Sequence, residues 1–165
     1  MKAIFFTSAS VTERWLTGLA MLLVISQFVL VLSYYTELPE TIPVHFGSGG
    51  KPDRWGSRGN LFVVPGLSVF FFLLFRGLRQ IPAEYYNQPT PPTPENRERL
   101  LRNTHQMLIL LLFVIQVFMT WTFWNWLEAA SSPAPVVNKT LVTALLLPTI
   151  ASVILFYLVR AYRRA

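Results

Sequence analysis

The chain has no cysteine, so disulfides, thiolate metal sites and thiol nucleophiles are excluded, while the redox compartment stays open. Charge is scarce: 13% of the 165 residues are Asp, Glu, Lys or Arg, and only 8 are acidic. With only two histidines, a histidine-built metal centre has almost no material. The middle of each long apolar run also carries no charge. Proton relays, voltage sensors and most ion pathways need ionisable groups at depth, so that gap disfavours a pump or a proton-coupled carrier.

What remains is mostly apolar. The composition is 53% hydrophobic and 15% aromatic with a mean hydropathy of +0.44, above the range of ordinary soluble domains. The net charge of +6 comes from basic residues that flank apolar runs rather than interleave with base-stacking aromatics. That pattern fits lipid headgroups and disfavours nucleic acid.

A bilayer core about 30 Å thick needs roughly 20 apolar residues in a helix. Four segments approach that length: about 15–35, 61–80, 107–127 and 141–159. The second reaches it by letting Arg76 and Arg79 run their stems along lipid with their heads at the interface. The predicted fold is an all-α integral membrane domain over residues 1–165, with four transmembrane helices, a turn-rich loop at 36–60 and a linker with a helix extension at 81–106. The first apolar run is too long for the core of a signal peptide.

Orientation follows from the Lys/Arg bias. Lys2, Arg14, Arg76, Arg79, Arg97, Arg99, Arg102, Arg160, Arg163 and Arg164 fall on one side; only Lys51, Arg54, Arg58 and Lys139 fall on the other. The expectation is a multi-pass plasma-membrane protein with both termini cytoplasmic and the 36–60 loop outside. Tyr34, Tyr35, Trp121, Trp124 and Trp126 then mark the outer interface, and Trp15, Tyr157 and Tyr162 the inner one. In the linker, Thr93 reads as a helix N-cap with Pro94 at the first helical position, and Glu95–Arg99 and Glu98–Arg102 are spaced i, i+4.

Polar residues at depth are few. Gln27 in the first span and Gln116 in the third are expected to bond to each other across a helix pair, as amides in hydrocarbon seek partners. Pro65 and Pro148 are expected kink positions, and Ala144, Pro148 and Ser152 share a face suited to close helix approach. His105 reads as an interfacial residue.

The most specific stretch is "LPETIPVHFGSGGKPDRWGSR", Leu38 to Arg58, which holds four of the eight glycines and one histidine. Pro39 and Pro43 favour an extended Glu40-Thr41-Ile42, and Gly47, Gly49, Gly50 and Gly56 with Pro52-Asp53 suit turns, so the loop reads as a folded cap. Phe46 and Trp55 are expected at the interface or over the helix ends, with Arg54 and Arg58 toward headgroups. His45 and Asp53, beside Glu37 and Glu40, form a thin metal or catalytic set without a recognised spacing. A hydrogen-bonded His45–Asp53 pair within the cap is favoured over metal. No catalytic residue is assigned and no cofactor is expected.

Leu38-Pro39, Ile42-Pro43, His45-Phe46, Gly50, Pro52-Asp53, Trp55-Gly56-Ser57 and Arg58 lie between a first span and a proline-bearing second span. This pattern resembles a widespread bacterial and archaeal domain of unknown function found at the N-terminus of SdpI-type toxin-immunity membrane proteins. The likeness covers Trp15 to Phe75, and those proteins have six spans where four are read here. It implies a non-enzymatic membrane protein, with an extracellular peptide or toxin and a cytoplasmic regulator as partners. A membrane enzyme or metal-dependent protein using His45 and Asp53, an accessory subunit of a larger complex and a homo-oligomer stay open.

Overall fold

The structure, a computed structural model, describes residues 9–82, 85–86, 90–137 and 139–163. It is mostly helical: α1 (Val11–Tyr34), strands β1 (Thr41–Phe46) and β2 (Pro52–Ser57), a 3₁₀ turn (Arg58–Phe62), α2 (Val63–Leu78), α3 (Arg97–Ser131) and α4 (Lys139–Arg163). Among the described residues, four helical stretches are long and apolar enough to cross a membrane: Val11–Tyr34, Arg58–Leu78, Arg97–Ser131 and Ala144–Tyr162. The chain therefore has the make-up of a polytopic membrane protein.

Local chemistry sets the helix ends. Ser10 caps α1 by accepting from the Glu13 amide at 3.2 Å. Before α3, Thr93 and Asn96 bond reciprocally: the Thr93 amide donates to Asn96 Oδ1 at 2.7 Å and the Asn96 amide to Thr93 Oγ1 at 3.3 Å. The reciprocal pair closes the turn ahead of α3, which begins at Arg97 after Asn96 and not at Pro94 after Thr93 as expected. Glu95 stays in that turn, outside the helix, so of the two expected charge pairs only Glu98–Arg102 is seen, at 2.7 Å.

α3 is the hub, with contacts to α1, α2 and α4, while α4 packs on α3. On α1 a single stripe is buried, Glu13, Ala20, Val24, Gln27 and Val31, whereas Met21, Leu22, Val29 and Leu32 are exposed. A one-sided stripe with apolar residues all round is what a helix facing protein on one side and lipid on the other requires. Small and polar side chains let α2 approach closely, and its Pro65 and Ser68 are fully buried. Pro65 sits in the first turn of α2, just after the 3₁₀ turn. Pro148 lies inside α4, and the Ala144–Pro148–Ser152 face expected to pack is exposed instead.

The expected Gln27–Gln116 bond is replaced by a wider network. Gln27 Nε2 donates to Thr120 Oγ1 at 2.9 Å, Ser68 Oγ donates to Gln27 Oε1 at 2.8 Å, and Gln116 Nε2 donates to the Ser68 carbonyl at 2.9 Å. Thr120 stands one turn beyond Gln116, so the axial register of α1 against α3 brings the hydroxyl, not the amide, to Gln27. Gln116 Oε1 is buried without a hydrogen bond. His105, read as interfacial, is instead buried at 7% exposure.

At one end of the bundle, the first turn of α1 meets the end of α2 through a buried ion pair, Glu13–Arg79, at 2.6 Å. Asn103 near the start of α3 likewise donates to the Tyr157 carbonyl near the end of α4 at 3.0 Å. The opposite end is closed by the strands.

Candidate functional site

The 36–60 region corrects the all-α expectation, because it folds as an antiparallel hairpin. Thr41 pairs with Ser57, Ile42 with Gly56, Pro43 with Trp55, His45 with Arg54 and Phe46 with Pro52, with irregularities on either side of His45. Such irregularity bends the strand and re-aims its side chains. The strands differ in burial. Ile42 and Pro43 of β1 are fully buried and Phe46 is 9% exposed, whereas β2 is exposed along most of its length, Trp55 at 54%.

Below β1 lies the hairpin's own core: Leu38 and Ile42 pack with Val31 of α1, Leu61 of the 3₁₀ turn, and Phe123, Leu127 and Ala130 of α3. Leu38 and Ile42 of the cap would otherwise meet water, and burying side chains of this size from water is worth about 1.5–3 kcal/mol each. Polar pins fix its position. Trp126 Nε1 donates to the Pro43 carbonyl at 2.6 Å, tying α3 to β1. The Arg58 guanidinium donates to the Leu38 carbonyl at 3.0 Å and lies 4.8 Å from the Tyr35 ring centroid. Arg58, expected toward headgroups, is thus turned into the cap, and Trp126, expected in the interfacial belt, is an internal tie.

Geometry requires one glycine and leaves little room at a second. Gly50 has φ +72°, and a Cβ there would lie 2.2 Å from the Val137 carbonyl oxygen. The Val137 amide in turn donates to the Gly50 carbonyl at 2.9 Å, so the hairpin tip is bonded to the α3–α4 connection. At Gly56 a Cβ would meet Val44 side-chain carbons at 3.1 and 3.3 Å. Ser57 closes β2 and starts the next element, its hydroxyl accepting from the Gly59 amide at 3.2 Å. Pro39 is exposed before β1, and Pro52 opens β2 half-buried.

His45 Nδ1 and Asp53 Oδ1 meet at 2.5 Å, with side chains 58% and 50% exposed. A pair this open contributes at most about 1 kcal/mol, so buried apolar contacts and backbone bonds hold the cap far more than this pair does. As ligands they would supply two donors. Among the described residues no three His, Cys, Asp or Glu side chains gather to hold a metal.

The hairpin is also where the chain meets known sequences. A family described as a domain of unknown function, DUF1648, matches residues 22–69. The match runs from within α1 through the hairpin and the 3₁₀ turn to Pro65 and Ser68 of α2. An uncharacterized protein of Archaeoglobus fulgidus is 41% identical over 56 residues, which is 34% of this chain and 31% of that protein. The chain thus spans about a third of the length of the curated relative it matches. No solved structure matches the chain.

Sequence reasoning missed Glu13, Ser68 and the Val137 contact. Glu13 could have been found from Ser10-Val-Thr-Glu13, a capping-box pattern just before an apolar run. Ser68 carried no signal beyond being small and polar.

Proposed function

We propose that this chain is a non-enzymatic plasma-membrane protein with both termini cytoplasmic, whose hairpin faces outward and recognises a secreted peptide by adding it as a strand to β2. The observation that carries the reading is the asymmetry of the hairpin. β1 is buried against α1, α3 and the 3₁₀ turn, while β2 is an exposed edge bearing Arg54 and Trp55 beside the open His45–Asp53 pair. An exposed edge strand on a rigid base suits main-chain pairing with an extended peptide, and an exposed tryptophan supplies an anchor. The SdpI-type resemblance favours protection against a toxic peptide as the purpose of that recognition. The Lys/Arg bias supports the orientation.

Two experiments test it. Cysteines introduced by Ser48→Cys and Thr90→Cys are read with an impermeant thiol reagent on intact cells; labelling at position 48 alone is expected, and labelling at 90 alone inverts the topology. A bacterial host producing the chain is then challenged with secreted amphipathic toxic peptides. Protection that is lost in Trp55→Ala with membrane levels unchanged is the expected result, and protection that Trp55→Ala leaves intact removes β2 from the reading.

A further inference from the structure

The groove between α3 and α4 has a charged end and an apolar end. Where the first turns of α3 meet the last turns of α4, a cavity of about 270 Å³ is lined by Arg99, Leu100, Arg102, Asn103, Arg160 and Ala161. A single water needs only about 10–15 Å³. Its three guanidinium groups have little to neutralise them. Arg102 bonds to Glu98, Arg160 donates to Gln106 Oε1 at 3.0 Å and lies beside the Tyr157 ring, and Arg99 has no acidic partner among the described residues.

A second hollow of about 370 Å³ lies further along the same helices, bounded by Leu110, Pro148, Thr149, Ser152, Val153 and Phe156. Phe156, Val153 and Thr149 precede Arg160 by four, seven and eleven residues, and Leu110 follows Asn103 by seven and Arg99 by eleven. Those spacings put both hollows on the same helix faces, roughly 10 Å apart at 1.5 Å per residue. The hydroxyls in the second hollow are already spent: Thr149 donates to the Leu145 carbonyl and Ser152 to the Pro148 carbonyl, each at 2.7 Å. Its lining therefore asks for hydrocarbon.

We propose that the α3–α4 groove is a binding site for an anionic glycerophospholipid, with its phosphate among Arg99, Arg102 and Arg160 and an acyl chain along Phe156, Val153 and Pro148. Guanidinium groups suit phosphate oxygens because they present paired donors in a fixed fork. The second hollow is what selects a lipid, since a free phosphate would engage only the first.

The test is native mass spectrometry of the full chain in detergent, titrated with dioleoylphosphatidylglycerol or dioleoylphosphatidylcholine. The wild-type chain is expected to retain the anionic lipid at least tenfold better, Arg99→Gln with Arg160→Gln to bring the two within twofold, and Val153→Trp to reduce retention with the arginines intact. Arg54→Gln, on the hairpin and outside the groove, should leave the lipid preference as in wild type. Arg99→Gln alone, which breaks no ion pair among the described residues, keeps the test valid if the double variant fails to elute as a single species. Equal retention of both lipids, or a preference that survives loss of the arginines, overturns the proposal. Displacement of the lipid by equimolar glycerol phosphate, with no effect of Val153→Trp, reassigns the pocket to soluble phosphates and overturns it too.

Discussion

Replacing Gly50 by alanine should open the cap at one identified bond. The backbone at Gly50 is left-handed, and an added Cβ would stand 2.2 Å from the Val137 carbonyl oxygen. Holding a non-glycine residue in that conformation costs roughly 1–2 kcal/mol. Backbone on both sides of the clash must then separate, which removes the Val137 amide bond to Gly50, worth about 1 kcal/mol. The sum, about 2–3 kcal/mol, corresponds to a rise in local opening of roughly 30- to 140-fold at about 1.4 kcal/mol per tenfold. Hydrogen exchange of the Val137 amide in detergent-solubilised protein reads this directly. Gly49→Ala is the matched control, because nothing lies within 4 Å of a Cβ there and its φ is not positive. Should Val137 exchange within threefold of wild type in Gly50→Ala, the tip is not held by this contact and the reasoning fails.

Trp126→Phe removes the donor to the Pro43 carbonyl while keeping an aromatic ring, and should cost about 1–2 kcal/mol and speed exchange of the β1–β2 amides over those of α1. Glu13→Gln leaves Arg79 buried without its counter-ion and should destabilise the bundle by about 3 kcal/mol in thermal unfolding, whereas adding Arg79→Met should recover most of that loss. The Thr93 hydroxyl, then its own backbone, hold the Glu95 carboxyl below its ordinary range. A depressed carboxylate pKa stabilises the folded turn above the unfolded value, and this is lost as pH falls through the folded one. NMR titration of Glu95 should show its pKa returning upward in Thr93→Ala.

The four apolar helices were legible because length and hydropathy decide them locally, before any contact forms. The hairpin was not, for a reason visible at Pro43. Proline inside a run argues against a strand, yet here it occupies β1 opposite Trp55 and offers its carbonyl to Trp126. The glycines were read as turn-formers, but the demand at Gly50 comes from Val137, 87 positions away in the chain. Similarly, Gln27 could be identified as a residue in need of a partner, while choosing Thr120 and Ser68 over Gln116 depends on the relative heights of three helices. Span boundaries uncertain by one turn, about 5.4 Å, cannot settle that. Arg58 shows the same limit: its charge suggested headgroups, and its position above Tyr35 and Leu38 depends on how the chain returns from the hairpin.

The bond between Gly50 and Val137 gives the molecule a mechanical linkage. Residue 137 lies just before α4, and α4 rests on α3. A tilt of α4 about that support would change the width of the arginine-lined groove at one end and pull on the segment bonded to the hairpin tip at the other. The fourth helix is in this sense a lever, with α3 as its fulcrum, and residues 140–159 between its basic ends carry no charge.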